Sequence, residues 1–144
     1  MEKERVNKIT DSEWQIMEQI WAHTEDIDKE YAKGTAEALR MDKKGISQPC
    51  LMELLDNKWN KNTVHTFLSR LCDKGYLKVI KEVSPHSYVP LISREDCEKV
   101  ERQSFLERVY QGSAGRMVAA LVRDGGLNKK EAAELRKLLD EIED

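Results

Sequence analysis

The stretch from Trp59 to Leu71 (W-N-K-N-T-V-H-T-F-L-S-R-L) most constrains what this chain can fold into. Val64, Phe67, Leu68 and Leu71 fall at i, i+3, i+4 and i+7, which gathers them into one apolar stripe of a helix. The opposite face carries Asn62, Thr66 and Ser69, flanked by His65 and Arg70, a row of short hydrogen-bonding groups with little bulk or negative charge to hold a partner away. Such a face suits a helix laid into a DNA major groove. D-K-G-Y-L-K-V-I-K (Asp73 to Lys81) follows, then a turn at Ser84 and Pro85, then S-Y-V-P (Ser87 to Pro90), which together read as a hairpin. Helix, glycine turn and basic hairpin in this order predict a winged helix.

Any amphipathic helix has a polar face, so the charge pattern has to separate the two readings. From Asn57 to Lys81 the chain carries Lys58, Lys61, Arg70, Lys74, Lys78 and Lys81 against one acid, Asp73, a net of +5 within a protein whose overall charge is −3. A positive patch on an acidic chain is the electrostatic footprint of phosphate contact.

At 144 residues, 40% hydrophobic and 35% charged, the chain suits one domain or two small ones. No apolar run approaches the ~20 residues of a membrane span, and M-E-K-E-R-V-N-K at the start lacks the apolar centre of a signal peptide, so a cytoplasmic location is expected. Cys50, Cys72 and Cys97 are odd in number and widely spaced, which suits small buried residues better than a disulfide framework. His23, His65 and His86 stand without companions at metal-ligand spacing. With neither a catalytic constellation nor a glycine-rich phosphate loop, the expectation is a protein that is not an enzyme and needs no metal or cofactor.

Thr10 with Glu13 makes a capping box, and Trp14, Met17, Ile20 and Trp21 recur at helical spacing, predicting a first helix from about Asp11 to Ala22 with a tryptophan-rich core face. Residues 23–45 are highly charged, yet Ile27, Tyr31, Ala38, Leu39 and Met41 supply a weak apolar period, so a further helix can form there although Gly34 costs it about 1 kcal/mol. Ser47 then caps a helix with Pro49 in its first turn, and Leu51, Leu54 and Leu55 mark its buried face. Asn57 to Asn60 form the turn, and Asn60 or Asn62 caps the helix that follows.

Beyond Pro90 the pattern is helical only. Ser93 with Asp96 opens a long helix carrying Cys97, Val100, Phe105, Leu106, Val109 and Tyr110 on or near one side, with Phe105 toward a core and Gly112 as the stop. M-V-A-A-L-V (Met117 to Val122) is apolar all round, which predicts enclosure. Asn128 and Glu131 cap a last helix with Leu135, Leu138, Leu139 and Ile142 in a stripe. Three helices of this size expose more apolar area than they can cover between themselves, so dimerisation through Phe105, Val109, Leu121, Leu135, Leu138, Leu139 and Ile142 is the expected solution. The expected architecture is mostly α: a winged helix-turn-helix domain with a β-hairpin wing over residues 1–90, with an insertion at about 23–45, and a three-helix dimerisation segment over 91–144.

I-T-D-S-E-W-Q-I-M-E-Q-I-W (Ile9 to Trp21), N-T-V-H-T-F-L-S-R-L-C-D-K-G-Y-L (Asn62 to Leu77), F-L-E-R-V-Y-Q-G (Phe105 to Gly112) and L-N-K-K-E-A-A-E-L-R-K-L-L (Leu127 to Leu139) occur in the order in which similar stretches occur in the penicillinase-repressor family. The chain resembles these winged-helix repressors of beta-lactamase and methicillin-resistance genes over most of its length outside residues 23–45. The resemblance implies a homodimer that occupies a palindromic operator in double-stranded DNA. It also implies release through a membrane-linked signalling protease that cuts the long C-terminal helix before a Phe, here between Ser104 and Phe105. The chain departs from the family in the insertion at 23–45, in His65 where members often carry Arg, and in Ser104 where Asn is familiar. I-E-D at Ile142 to Asp144 lacks the cysteine-rich metal motif of related copper-responsive repressors.

On this reading Asn62, Thr63, His65 and Thr66 reach base edges from the first turns of the recognition helix, and Lys61, Arg70, Lys78 and Lys81 hold the phosphate backbone. Pro85 and His86 at the hairpin tip fit a minor-groove contact or a plain turn equally well. Two other readings use the same residues: a ligand-responsive winged-helix regulator whose effector pocket includes residues 23–45, and a protein-interaction adaptor that binds no DNA. The positive patch argues against the adaptor.

Overall fold

The computed structural model describes residues 8–32 and 45–142. The chain divides into two compact units, the first ending at Cys97 and the second beginning at Glu98. The boundary lies inside a helix, seven residues beyond the end of the hairpin where the sequence pattern changes.

The first unit opens with α1 (Asp11–Ala32). Its start is the capping box read from the sequence: the Thr10 N–H donates to Glu13 Oε1 at 2.9 Å, and the Glu13 N–H donates back to Thr10 Oγ1 at 3.2 Å. The helix runs well past Ala22. Residues 23–32 contain neither Gly nor Pro, and the Thr24 hydroxyl donates to the Ile20 carbonyl at 3.0 Å, so nothing stops the ladder there. The remainder of the expected insertion, 33–44, lies outside the described residues.

β1 (Ile46–Ser47) leads into α2 (Gln48–Leu54), where the Ser47 side chain accepts from the Cys50 N–H and Pro49 sits in the first turn. Leu51 is fully buried and Leu55 is half-buried, but Leu54 is exposed, contrary to the expectation for this stripe. A seven-residue helix offers one narrow contact line, and the four-residue spacing of Leu51 and Leu55 takes it.

A turn through Asp56 and Asn57, both left-handed, delivers the chain to Asn60. The Asn60 side chain accepts from the Thr63 N–H at 2.9 Å and caps α3 (Lys61–Asp73), which decides between the two candidate caps. Val64, Leu68 and Leu71 are fully buried, and Phe67 lies edge-on to Trp59 with ring centres 5.2 Å apart. The helix ends in paired backbone bonds, from the Gly75 N–H to Cys72 O at 3.0 Å and from the Tyr76 N–H to Leu71 O at 2.9 Å. Gly75 at φ +85° makes that reversal without a Cβ penalty, and so aims the chain into β2 (Leu77–Ile80).

β2 and β3 (Ser87–Pro90) form the expected hairpin, pairing Leu77 with Pro90 and Ile80 with Ser87. β1 adds to the far side of β3, Ile46 opposite Tyr88, giving an antiparallel sheet in the order β1-β3-β2. α1, α2, α3 and the sheet enclose one core of Ile16, Met17, Ile20, Trp21, Leu51, Val64, Leu68, Leu71 and Leu77. Trp21 closes it by donating Nε1–H to the Ile92 carbonyl at 2.9 Å. This is a winged helix.

α4 (Arg94–Tyr110) begins in the first unit, where Cys97 is buried, and continues into the second with α5 (Ala114–Arg123) and α6 (Lys129–Asp140). The Asn128 and Glu131 capping box forms on both sides. No residue of α5 or α6 is buried in the single chain, so enclosure of 117–122 is not achieved there, and Phe105 is 43% exposed rather than turned to a core. Three short helices cannot cover all their apolar surface by themselves.

Candidate nucleic-acid interface

With Val64, Leu68 and Leu71 locked into the core, the rotation of α3 is fixed and its outer face is determined. Lys61, Asn62, His65, Thr66, Ser69 and Arg70 are exposed there, and Thr63 is half-exposed beside its cap. The Thr66 hydroxyl donates to the Asn62 carbonyl at 3.0 Å, which ties its hydrogen to the helix and leaves its oxygen lone pairs outward as acceptors. Asn62, Ser69 and Arg70 supply donors in the same row. The sequence-predicted base readers therefore share one surface of one helix. Lys78 and Lys81 are exposed on and just after β2, in the wing.

The positive patch is smaller than the sequence sum. Lys74 Nζ lies 2.6 Å from Glu13 Oε1, a carboxylate that the sequence reading used only as a cap, so that charge is matched inside the unit. Lys58 donates to Gln15 Oε1 at 2.6 Å and lies over the Trp59 ring, 4.8 Å from its centre. Lys58 is exposed and keeps its charge, since an amide oxygen and a ring face do not neutralise it, and further along lie the exposed Lys61, Arg70, Lys78 and Lys81. These last four are the ones assigned to the phosphate backbone.

A second feature was not legible in the sequence. The Gln48 amide donates to the Lys61 carbonyl at 2.8 Å, joining the start of α2 to the start of α3 across thirteen residues. Beside this bond lies a cleft of about 590 Å³ lined by Gln48, Pro49, Met52, Lys61, His65, Ser84, Pro85, His86 and Tyr88. It brings the hairpin tip and the recognition helix to one cavity. No periodicity or spacing rule links residue 48 with 61 or 85, and only the assembled fold reveals them as neighbours.

Burial pushes the Cys72 thiol above its ordinary pKa, with Asp73 adding to the rise and Lys81 opposing it. Burial raises the Tyr88 phenol in the same way, with Cys72 adding to it. Both groups are thus held in their neutral forms, which are poor nucleophiles. Among the described residues no three His, Cys, Asp or Glu gather as a metal site, and no helix is long and apolar enough to cross a membrane.

Of the remaining predicted positions, Ser104 and Phe105 lie exposed within α4, Phe105 with its ring centre 6.0 Å from that of Tyr110. Val109, Leu121, Leu138, Leu139 and Ile142 are exposed in the single chain, and Leu135 is half-buried.

The profile of the penicillinase repressor family matches residues 33–141. The chain belongs to the penicillinase repressor family. It is 29% identical over 141 residues to the penicillinase repressor of Bacillus licheniformis, covering 95% of this chain and 93% of that one. It is 26% identical over 135 residues to the methicillin resistance regulatory protein MecI of Staphylococcus aureus strain N315, covering 92% and 94% of the two chains. The penicillinase repressor of Staphylococcus aureus is 26% identical over 137 residues, covering 94% and 93%. Membership places the chain among regulators of transcription, a family of repressors and not of enzymes.

Proposed function

We propose that this protein is a homodimeric, cytoplasmic repressor that occupies a palindromic operator through α3 and its wing. The observation that carries the reading is the outer face of α3: six exposed polar residues on a helix whose opposite stripe is locked in the core of a winged helix. In this reading residues 1–90 bind DNA, with Asn62, Thr63, His65 and Thr66 at base edges and Lys61, Arg70, Lys78 and Lys81 at phosphates. Residues 91–144 join two copies through Phe105, Val109, Leu121, Leu135, Leu138, Leu139 and Ile142. The apolar side chains exposed along α4, α5 and α6 support that role, since a single chain leaves them in water. Two copies place two recognition helices on one duplex, which is why the operator should be palindromic.

Release is assigned to a membrane-linked protease cutting between Ser104 and Phe105. The bond sits in the middle of α4, and a protease requires extended backbone, so the helix must open locally before it is cut. Genome-wide capture of bound fragments tests the repressor reading: a shared inverted repeat supports it, and fragments without a common sequence overturn it. Mass spectrometry of the protein from induced cells tests the cut; an intact chain after release of the DNA removes proteolysis from the mechanism.

A further inference from the structure

The cleft between α2, α3 and the wing has the size and lining of a small-molecule site. Its volume of about 590 Å³ falls within the roughly 300–1,000 Å³ of ordinary ligand pockets. Pro49, Met52, Pro85 and Tyr88 supply flat or flexible apolar walls, while Lys61, His65 and His86 place nitrogen groups around them. Among the described residues no carboxylate lines the cavity. An apolar cleft with a cation and two imidazoles, and no negative group among its lining residues, is complementary to a planar apolar body bearing one anionic group. Tyr88 is buried, and Met52 is packed against the core, so this wall is held by the fold and does not have to be assembled by the ligand.

From this lining we infer that the cleft binds an aromatic carboxylate, and that such a ligand competes with DNA. Lys61 and His65 belong both to the cleft and to the face of α3 that the proposed function sets against the duplex, and His86 stands at the wing tip. A ring seated on Pro49 and Met52 with its carboxylate at Lys61 occupies the cation that a phosphate would use, so one occupant excludes the other. The competition rests on the repressor reading; the ligand site itself does not.

The test uses the full chain and 2-naphthoate as probe, with 2-naphthalenemethanol as its uncharged counterpart. Two-dimensional amide NMR should show saturable shifts at Gln48, Met52, His65 and His86, with the alcohol binding at least tenfold more weakly. Met52→Trp should fill the cleft and abolish the shifts. His86→Ala, an exposed change that does not touch the core, should weaken naphthoate at least threefold. Equal binding of acid and alcohol, shifts confined to residues 98–142, or unaltered affinity in both variants would overturn the site. In parallel, a labelled mixed-sequence duplex at low salt is followed by fluorescence anisotropy, with and without naphthoate. Duplex binding without naphthoate binding removes the site and leaves the repressor reading intact. Naphthoate binding without duplex binding removes the repressor reading and leaves the site. Simultaneous, independent binding of both overturns the competition.

Discussion

Glu13 caps α1 with one carboxylate oxygen and, with the same atom, meets Lys74 at the end of α3. The side chain is completely buried, and Oε2 has no hydrogen-bond partner. Burial works to raise the Glu13 pKa, but the Lys74 ammonium and the Thr10 N–H and hydroxyl outweigh it, and the group is held below its ordinary value.

Because the folded pKa is the lower one, the stability Glu13 contributes is complete above its unfolded pKa of about 4.3 and is lost as pH falls through the folded value. Lys74→Met removes the partner and leaves the buried carboxylate alone, at a cost of about 3 kcal/mol near neutral pH. In that variant burial is less opposed, so the Glu13 pKa rises. Urea unfolding at pH 7 and pH 4 should therefore show the variant's deficit shrinking toward low pH. A deficit independent of pH would place the contribution of Lys74 in packing.

On the outer face of α3, Thr66→Glu puts a carboxylate where, under the proposed function, phosphates and base acceptors approach. Affinity for the operator should fall more than tenfold, with the melting temperature within a few degrees of the parent, since the site is exposed. Lys78→Ala should weaken all sequences alike and reduce the slope of log affinity against log salt by about one. A gel-shift titration at several salt concentrations distinguishes the two effects.

Leu139→Asp bears on the second unit. Leu139 is 54% exposed in the single chain, so a charge there should spare the chain's own fold and act on the association of two copies. If the proposed dimer forms through this face, light scattering should report a monomer for the variant, and operator affinity should drop because the second half-site contact is no longer tethered. A dimer of unchanged mass would move the interface off α6.

Gly45 and Gly75 are both intolerant of a side chain, for different reasons. A Cβ at Gly45 would collide with the buried Ser87 hydroxyl, so Gly45→Ala must turn that hydroxyl away or shift β3 and should cost about 1–3 kcal/mol. A Cβ at Gly75 meets nothing within 4 Å, and Gly75→Ala should cost only the left-handed backbone penalty of roughly 1–2 kcal/mol. Chemical denaturation of the two variants measures the difference.

The winged helix was legible in the sequence because its signals are local. Thr10 and Glu13, Ser47 and Pro49, Asn60, and the run from Lys74 to Tyr76 each fix an end of an element within four residues. What escaped depends on distance along the chain. β1 is two residues long and exists only through β3, Lys74 finds Glu13 across sixty-one positions, and Gln48 finds the Lys61 carbonyl across the helix-turn-helix. The end of α1 was missed for a different reason. The charge and weak apolar period of residues 23–32 left open a further helix separate from the first, but charged residues are good helix formers and no Gly or Pro intervenes, so α1 runs on without a break. The exposed α3 face was readable from its period, whereas the cleft beside it required α2 and the hairpin tip to be assembled around it.

Trp14, Trp21 and Trp59 all precede Cys97, and residues 98–144 contain no tryptophan. The optical label is therefore confined to the first unit: indole emission belongs to the winged helix, and the second unit is silent at those wavelengths. Trp59 stands edge-on to Phe67 on α3, with the Lys58 ammonium over its ring. A duplex settling on this helix would alter the field at that indole, so docking can be timed in a stopped-flow instrument without attaching a dye. Events confined to residues 98–144, including association or cutting there, should leave the same signal untouched.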